Sequence, residues 1–446
     1  MILRRAWSES KAFRVFLILS IVWFVLRFTF QLVYASGFFP ELASEGGLPI
    51  DLPVYLGAAE KFLAGQSLYP QDLSDSTYHY PYSPPFAMLS IVLLWLPAQW
   101  VAILGTLVSV IAGFLIYIQW LKIFRKFEPP NLERQMTWMI PVWLVYSAFW
   151  GEITYLNIGV LVALIATLLV RCVLEERLGW AVLLLTFLCI SKIMWAFPVA
   201  LPFLFGRRRF FFRLIGLTGA AYLVLVGLTM LASSPAYVTQ QYGEYFNHLR
   251  RLGTEFPWHL WSNTHILGYN HSIKQLVIFL LGVKPWVFTL ATGIKLIFLA
   301  PLAIIGWRLF RHPTGDTKPA SHPTLSLDLV FALYLGAFIW LDIVWEALLG
   351  IAIFAYLLAT LEHKWKKGFI FGVFLLYALV DVIQLVSYGI GGDAVLELHG
   401  QYVLTDPSIY FPLTMVVILL FYTPLMVRLW KTTGKLIPGN AAAYEQ

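Results

Sequence analysis

Charged residues are scarce in this sequence. Only 12% of its 446 residues are Asp, Glu, Lys or Arg, whereas a soluble globular domain carries about 25%. Hydrophobic residues make up 59% of the chain. Because so little charge cannot cover so much apolar surface in water, the composition argues against a soluble protein. It predicts that most of the chain faces lipid or other membrane helices.

Cysteine and metal-ligand motifs are nearly absent as well. The two cysteines, Cys172 and Cys189, lie in or beside apolar runs and show neither a disulfide pattern nor metal-ligand spacing. The nine histidines are scattered, and no group of carboxylates has the spacing of a metal site. We therefore expect no disulfide framework, no metal and no other cofactor.

The basic residues, which give the chain a net charge of +7, occur in short clusters between the apolar runs. This distribution is what the positive-inside rule produces in membrane proteins. We therefore expect membrane lipids, and not nucleic acid, among the partners of the chain.

Twelve apolar segments are candidate transmembrane helices, because about 20 apolar residues span a bilayer. They are 13–35, 85–121, 136–150, 153–171, 178–191, 193–206, 211–233, 285–310, 326–341, 343–361, 369–390 and 410–430. The segment 85–121 contains Pro97 and fits either one kinked helix or a half-helix followed by a span. A short apolar piece, 275–283, precedes the next span and is expected to be re-entrant or interfacial.

The basic clusters support this count. With twelve spans and both termini in the cytoplasm, every basic cluster except Arg250 and Arg251 falls on the cytoplasmic side. The sequence thus predicts a multi-pass protein of the cytoplasmic membrane with two long outer loops, 36–84 and 234–275. We expect one transmembrane domain over 1–435, followed by a polar tail, 436–446.

Both outer loops contain patterns typical of amphipathic helices. In the first loop, apolar residues recur at helical spacing from Tyr55 to Leu63, and Gly65 follows as a stop signal. Residues 238–251 form a second such pattern in the other loop. We expect these helices to lie along the membrane surface.

Asp51 comes just before the first of these helices. A carboxylate there lies near the positive end of the helix dipole and close to the lipid headgroups. The plain alternative is a helix cap or a solvated loop acid.

Three motifs follow one another in the first outer loop. They are Asp-x-x-x-Tyr at 51–55, Gly-x-x-Leu-Tyr at 65–69 and Tyr-x-Pro-Pro-Phe at 82–86. This order resembles glycosyltransferase family 87, a family of polytopic type C glycosyltransferases that includes polyprenyl-phosphate-mannose-dependent mannosyltransferases. The three motifs together are the more specific part of the resemblance, which covers roughly residues 15 to 360.

Weaker matches follow in the same order. Gly151 and Glu152 resemble a Gly-Gln segment that opens a span, 192–198 resembles a helix with Lys and Pro that ends in a basic cluster, and 270–273 resembles an Asn-Gln-Ser-Leu segment. The chain departs from the family at Glu152 and at His271, where Gln is usual. It departs again at Ala347. The family segment reads Trp, an acid and then His, whereas this chain has Ala after Trp345 and Glu346.

The resemblance implies an all-α type C fold and a definite chemistry. It implies transfer of a sugar, most consistently mannose, from a polyprenyl-phosphate donor to a lipid-linked or surface glycan at the outer face. Asp51 would be the general base of an inverting single displacement. Lys192 and His271 would bind the donor phosphate. The remaining substrate-binding candidates are Tyr55, Tyr82, Glu152, Asn270 and Glu346.

Two other functions stay open at this stage. A transporter or flippase of a lipid-linked intermediate would also be polytopic, although such folds often show internal repeats, and none is clear between the two halves of this chain. A non-catalytic scaffold of glycan assembly fits the absence of a histidine at Ala347. The topology brings the titratable candidates to one membrane face, which favours the enzyme.

Overall fold

The protein is almost entirely helical in the part that the computed structural model describes, which comprises residues 2–37, 48–69, 79–127, 130–255, 267–311, 323–391, 395–398, 401–404 and 411–435. The helices are, in chain order, α1 (Ile2–Glu9), α2 (Lys11–Ala35), α3 (Leu52–Leu63), α4 (Pro84–Ser90), α5 (Ala98–Phe127), α6 (Pro130–Trp138), α7 (Ile140–Leu144), α8 (Ser147–Tyr155), α9 (Gly159–Leu174), α10 (Leu178–Ile190), α11 (Ala200–Leu204), α12 (Arg208–Ala232), α13 (Pro235–Glu255), α14 (Ile273–Leu281), α15 (Pro285–Arg311), α16 (Pro323–Trp340), α17 (Gly350–Thr360), α18 (Lys364–Ala378), α19 (Val380–Gly391) and α20 (Leu413–Lys435). Two 3-10 helices, Ile91–Trp95 and Ile193–Val199, follow α4 and α10. An antiparallel hairpin pairs β1 (Val395–Leu398) with β2 (Gln401–Leu404).

Among the described residues, five helices are long and apolar enough to cross a membrane, namely α2, α5, α12, α15 and α20. Two bent pairs of helices pass the same test only together, so the number reaches seven if each pair is one span. The prediction of a helical, multi-pass membrane protein is therefore confirmed. The count of twelve spans stays a prediction.

The structure resolves the alternatives for 85–121 and moves two predicted boundaries. Pro97 separates the short α4 segment from the long α5, as the half-helix alternative has it. The predicted break between 136–150 and 153–171 is wrong, because it falls inside α8, and the true break lies at 156–158. The first residues of 343–361 are not helical, since α17 begins only at Gly350.

The chain divides into two compact units. Unit 1 comprises Met1–Phe28, Tyr117–Gly151 and His259–Gln446, and unit 2 comprises Thr29–Ile116 and Glu152–Trp258. The single domain predicted over 1–435 stays a prediction. The tail 436–446 and parts of the two long loops, 36–84 and 234–275, lie outside the described residues.

The core of unit 2 is built around α3, which confirms the helix expected in the first outer loop. A proline in its first turn favours initiation, and Gly65 follows its end with a φ of +66°, which glycine adopts without strain. One face of α3 is buried and packs with Tyr69, Tyr80 and Tyr82. Its buried residues are Leu52, Val54, Tyr55, Ala58, Ala59 and Phe62.

The second expected amphipathic helix is also present, as α13. It holds the segment after α3 in place: Gln241 accepts a hydrogen bond from the backbone N–H of Leu68 (2.8 Å), and Tyr237 donates one to the carbonyl of Gln66 (2.8 Å). The Gly-x-x-Leu-Tyr motif is therefore fixed between α3 and α13 in unit 2.

The core of unit 1 lies among α16, α17, α18 and α20, where several large aromatic side chains are fully buried: Phe331, Tyr334, Phe354, Tyr356, Phe374 and Phe421. Buried charges in this unit are paired. Arg27 donates to Asp381 (3.3 Å), and Arg428 donates to Asp328 (2.5 Å). Such pairing is expected, because an isolated charge in an apolar environment is costly. Neither pairing was evident from the sequence.

Candidate functional site

A sharp break between α8 and α9 creates the centre of the candidate site. The helical segments on its two sides, Ile140–Tyr155 and Gly159–Leu174, are bent by 118°. Leu156 lies in the left-handed region with a φ of 54°, which is uncommon for a residue with a branched side chain and is found mainly where surrounding contacts enforce it. The break ends α8, and the side chain of Asn157 can therefore form hydrogen bonds with residues of other elements.

The amide of Asn157 links a carboxylate to an ammonium group. Its Nδ2 donates to Asp51 Oδ2 (2.7 Å), and its Oδ1 accepts from Lys192 Nζ (2.6 Å). The same Oδ1 accepts from the backbone N–H of Gly159 (2.9 Å), as in an Asx turn, which starts α9. Asp51 and Lys192 are thus brought together through one neutral side chain.

Asp51 is held by backbone as well as side-chain contacts. Its N–H donates to the carbonyl of Tyr155 (3.0 Å), one of the last carbonyls of α8, which have no partner within the helix. Its carboxylate does not cap α3 and instead faces Asn157. Burial raises the pKa of Asp51 above its usual value, while the Asn157 hydrogen bond and the Lys192 charge oppose that rise. The other oxygen, Oδ1, has no hydrogen bond to a described residue.

Lys192 lies where α10 ends and a 3-10 helix begins. Ser83 fixes this end of α10, because its Oγ and its backbone N–H both donate to the carbonyl of Ile190 (2.9 and 3.3 Å). The ammonium group of Lys192 carries three N–H donors, of which one is used on Asn157. Within the described part of the chain no carboxylate forms an ion pair with Lys192. Two N–H donors are therefore available for a ligand.

Tyr55 and Tyr82 are buried next to this cluster. Their hydroxyl groups are 3.3 Å apart, and the backbone N–H of Ile158 donates to the Tyr55 hydroxyl (3.2 Å). Burial raises the pKa of both phenols well above the ordinary value of 10, so both stay neutral at physiological pH. The two tyrosines connect α3 and the Tyr-x-Pro-Pro-Phe motif to the break at Asn157.

Glu152 is buried in the same cluster, with 8% of its surface exposed. Its carboxylate lies against the backbone of Gly159, and its Oε2 has no hydrogen-bond partner among the described residues. The charges of Lys192 and Asp51 both act on it. A buried carboxylate oxygen without a donor is unusual in a folded protein and is a candidate ligand-binding atom.

Asn270 and His271 lie in unit 1. The side-chain oxygen of Asn270 accepts from the backbone N–H groups of Ser272 (3.1 Å) and Val344 (3.0 Å), so the residue holds the segment before α14 against the segment before α17. His271 is buried and its Nδ1 faces the hydroxyl of Thr414 (2.9 Å). Their expected roles in substrate binding stay predictions.

Glu346 also lies in unit 1, in the non-helical segment before α17. Its Oε2 accepts a hydrogen bond from the hydroxyl of Tyr377 (2.7 Å). The same hydroxyl accepts from the N–H of Ala347 (2.9 Å), and the Tyr146 hydroxyl donates to the Ala347 carbonyl. Ala347 is fully buried and lies between these two tyrosines. The substrate-binding role of Glu346 stays a prediction.

Sequence reasoning missed Asn157, which connects the two main candidates. The available signal was an amide within an apolar stretch, where an unpaired polar group is costly. It also missed a cluster in unit 1 in which Lys274 (2.8 Å) and Lys295 both donate to Asp342. Lys295 uses its other donors on the carbonyls of Trp340 and Leu341, so this cluster fixes the end of α16.

In the described part of the chain, no three His, Cys, Asp or Glu side chains lie close enough together to hold a metal ion. The expectation of a site without metal or other cofactor stays a prediction.

The model of glycosyltransferase family 87 matches residues 79–335, more than half of the chain. The protein belongs to this family. The family indicates a glycosyltransferase, and the helices make it a membrane protein. Of the unit 2 candidates, the match includes Tyr82, Glu152 and Lys192 and begins after Asp51 and Tyr55. No curated protein and no solved structure matches this family 87 chain significantly.

Proposed function

We propose that this family 87 protein transfers a sugar, mannose in the first instance, from a polyprenyl-phosphate donor to a lipid-linked or surface glycan. The observation that carries the proposal is the linkage of Asp51 through Asn157 to Lys192. It supplies a carboxylate with an unused oxygen and a cation with unused donors within one cluster. The first can act as a base and the second can stabilise a leaving phosphate.

The reaction follows as a single displacement. Asp51 removes the proton of the acceptor hydroxyl while the hydroxyl oxygen attacks the anomeric carbon of the donor. The bond from this carbon to the phosphate oxygen breaks, and its electron pair stays on that oxygen. The leaving polyprenyl phosphate gains one negative charge, which the Lys192 ammonium stabilises. Attack opposite the leaving group inverts the anomeric centre.

Three further side chains of unit 2 support substrate binding. Glu152 presents a carboxylate oxygen without a partner among the described residues, and sugar hydroxyls are suitable donors to it. We propose Tyr55 and Tyr82, whose rings are buried and whose hydroxyl groups are 3.3 Å apart beside this cluster, as the other two substrate-binding residues. The roles expected for His271, Asn270 and Glu346, which lie in unit 1, stay predictions.

The proposed location is the cytoplasmic membrane, with both termini in the cytoplasm and the site at the outer face. This orientation rests on the distribution of basic residues between the apolar segments. It gives the donor's lipid tail access from the bilayer and leaves the acceptor glycan outside the cell.

The experiment compares purified wild-type protein with Asp51→Asn on a panel of radiolabelled polyprenyl-phosphate sugars and a membrane lipid extract. Glu60→Gln is the matched control, because it removes a carboxylate from an exposed position on α3. We expect label transfer by wild type and control and a loss of about 10²-fold or more in Asp51→Asn, since general-base catalysis contributes about 10²–10⁴-fold.

Transfer that survives in a folded Asp51→Asn protein would remove Asp51 as the base. If wild type transfers label from none of the donors, the glycosyl-transfer proposal for these substrates fails, and the transporter and scaffold functions gain weight. Separate use of each labelled sugar identifies the donor.

A further inference from the structure

The orientation of the Asn157 amide follows from its neighbours. An amide has one oxygen that accepts and one nitrogen that donates. Lys192 Nζ and the Gly159 N–H are both donors, and both contact the same end of the side chain. That end must therefore be the oxygen, and the nitrogen must face Asp51.

We infer that Asn157 is a positioning residue that holds Asp51 as an ionised base and connects it to Lys192. The inference rests on the proposed function for the role of Asp51, but the contact itself is independent of any substrate. A hydrogen bond from a neutral donor to a carboxylate favours the ionised form. The bond occupies Oδ2 and leaves Oδ1, which has no other described partner, for the acceptor hydroxyl.

The groups that face Asp51 come from several elements. Lys192 lies after α10, Glu152 on α8, Tyr55 on α3, and Tyr82 before α4. The two tyrosines are neutral at physiological pH, so among the described residues the other charges of this cluster are those of Glu152 and Lys192. The neutral side chain of Asn157 contacts both the proposed base and the cation by hydrogen bonds.

The decisive substitution is Asn157→Asp. It has the shape of asparagine and keeps an oxygen for Lys192 and Gly159, but it replaces the donor facing Asp51 with a second oxygen. Two carboxylates at hydrogen-bond distance cannot both ionise easily, so they share a proton and one pKa rises. We expect the acid limb of the kcat profile to move up by about one pH unit or more. KM for the donor should rise as well, because the new carboxylate also pairs with Lys192, the cation proposed to bind the donor phosphate.

Gln240→Glu is the matched control. Gln240 is an exposed amide on α13 that donates to the carboxylate of Glu244 (2.8 Å), so the substitution creates the same pair of facing carboxylates away from Asp51. We expect its acid limb to coincide with that of wild type. A shift of equal size in the control would mean that an added carboxylate anywhere on the protein moves the acid limb. That outcome would overturn the inference.

An infrared titration reads the ionisation of Asp51 without any transfer reaction. The difference spectrum between each protein and its Asp51→Asn counterpart reports the carboxyl band of position 51 in wild type and that of the coupled pair 51 and 157 in Asn157→Asp. We expect a protonated carboxyl band to persist to higher pH in Asn157→Asp than in wild type. An unchanged titration would overturn the inference, whereas absent transfer with a shifted titration would remove only the proposed function.

A second variant covers the case in which Asn157→Asp does not fold. The exchange Asp51→Asn with Asn157→Asp restores one amide and one carboxylate at the two positions. Recovery of folding by the exchange would support the contact, because only the pairing is restored. If neither Asn157→Asp nor the exchange variant folds, Asn157 is needed for folding through something other than its contact with Asp51. That outcome would overturn the inference.

Discussion

Gly159 leaves no room for a side chain, and this gives a test of the site's geometry. An ideal Cβ on Gly159 would lie 2.0 Å from Glu152 Oε2 and 2.4 Å from Glu152 Cδ. Non-bonded atoms approach to about 3.5 Å, so in Gly159→Ala the carboxylate must move by about 1.5 Å. Glu152 is buried, and such overpacking costs about 1–3 kcal/mol. Alanine gains up to about 1 kcal/mol in helix propensity, which leaves a net loss of up to about 2 kcal/mol against wild type and of about 1–3 kcal/mol against a glycine-to-alanine control without the collision.

The measurement is denaturant unfolding in detergent, with Gly179→Ala as the matched control. Gly179 lies in the first turn of α10, and a Cβ there meets no atom within 4 Å. The control isolates the propensity gain and should be neutral or slightly stabilising. We also expect Gly159→Ala to lose transfer activity in the same direction as Glu152→Ala, because both substitutions remove the carboxylate from its position.

A double variant identifies the cause. Glu152→Ala combined with Gly159→Ala removes the group with which the new methyl collides, so the two effects should not add, and the coupling should exceed about 0.5 kcal/mol. Gly159→Ala that is as stable as Gly179→Ala and fully active would refute the placement of Glu152 against α9.

Two further predictions concern charge. The charge of Lys192 lowers the pKa of Asp51, so Lys192→Gln should raise that pKa and shift the acid limb of the pH–activity profile to higher pH. Lys192→Arg keeps the positive charge and should leave the limb in place. An unchanged infrared titration of Asp51 in Lys192→Gln would contradict this prediction. Arg27→Leu removes the buried cation that pairs with the partly buried Asp381 and should cost about 3–5 kcal/mol in unfolding free energy. The paired change of Arg27 and Asp381 to Leu should recover most of that loss, and a single variant as stable as the pair would show that the ion pair is not what stabilises this region.

The long helices could be predicted well from the sequence, because hydropathy reports continuous apolar runs. The predicted span 211–233 corresponds to Arg208–Ala232, and 285–310 corresponds to Pro285–Arg311. The break at 156–158 could not be predicted in this way. It contains neither proline nor glycine, and no local pattern predicts the left-handed conformation of Leu156, which is buried in the core of unit 2.

The candidate site could be predicted only in its charged members. Asp51 and Lys192 stand out because an ionisable group near or within a membrane segment is unusual. Asn157 carries no charge, and its importance depends on contacts with residues 106 and 35 positions away in sequence. The pairing of Arg27 with Asp381, 354 residues apart, is hidden for the same reason.

The amide between Asp51 and Lys192 has a chemical consequence that a direct ion pair would not have. A carboxylate bonded directly to an ammonium group is a weaker base, and the ammonium loses donors that a phosphate could use. With Asn157 between them, Asp51 keeps Oδ1 and Lys192 keeps two N–H donors, while the positive charge still acts on the carboxylate. A single displacement needs a base on one side of the anomeric carbon and a cation on the other at the same moment. A neutral spacer of fixed length meets both needs, because it separates the two charges without letting either neutralise the other.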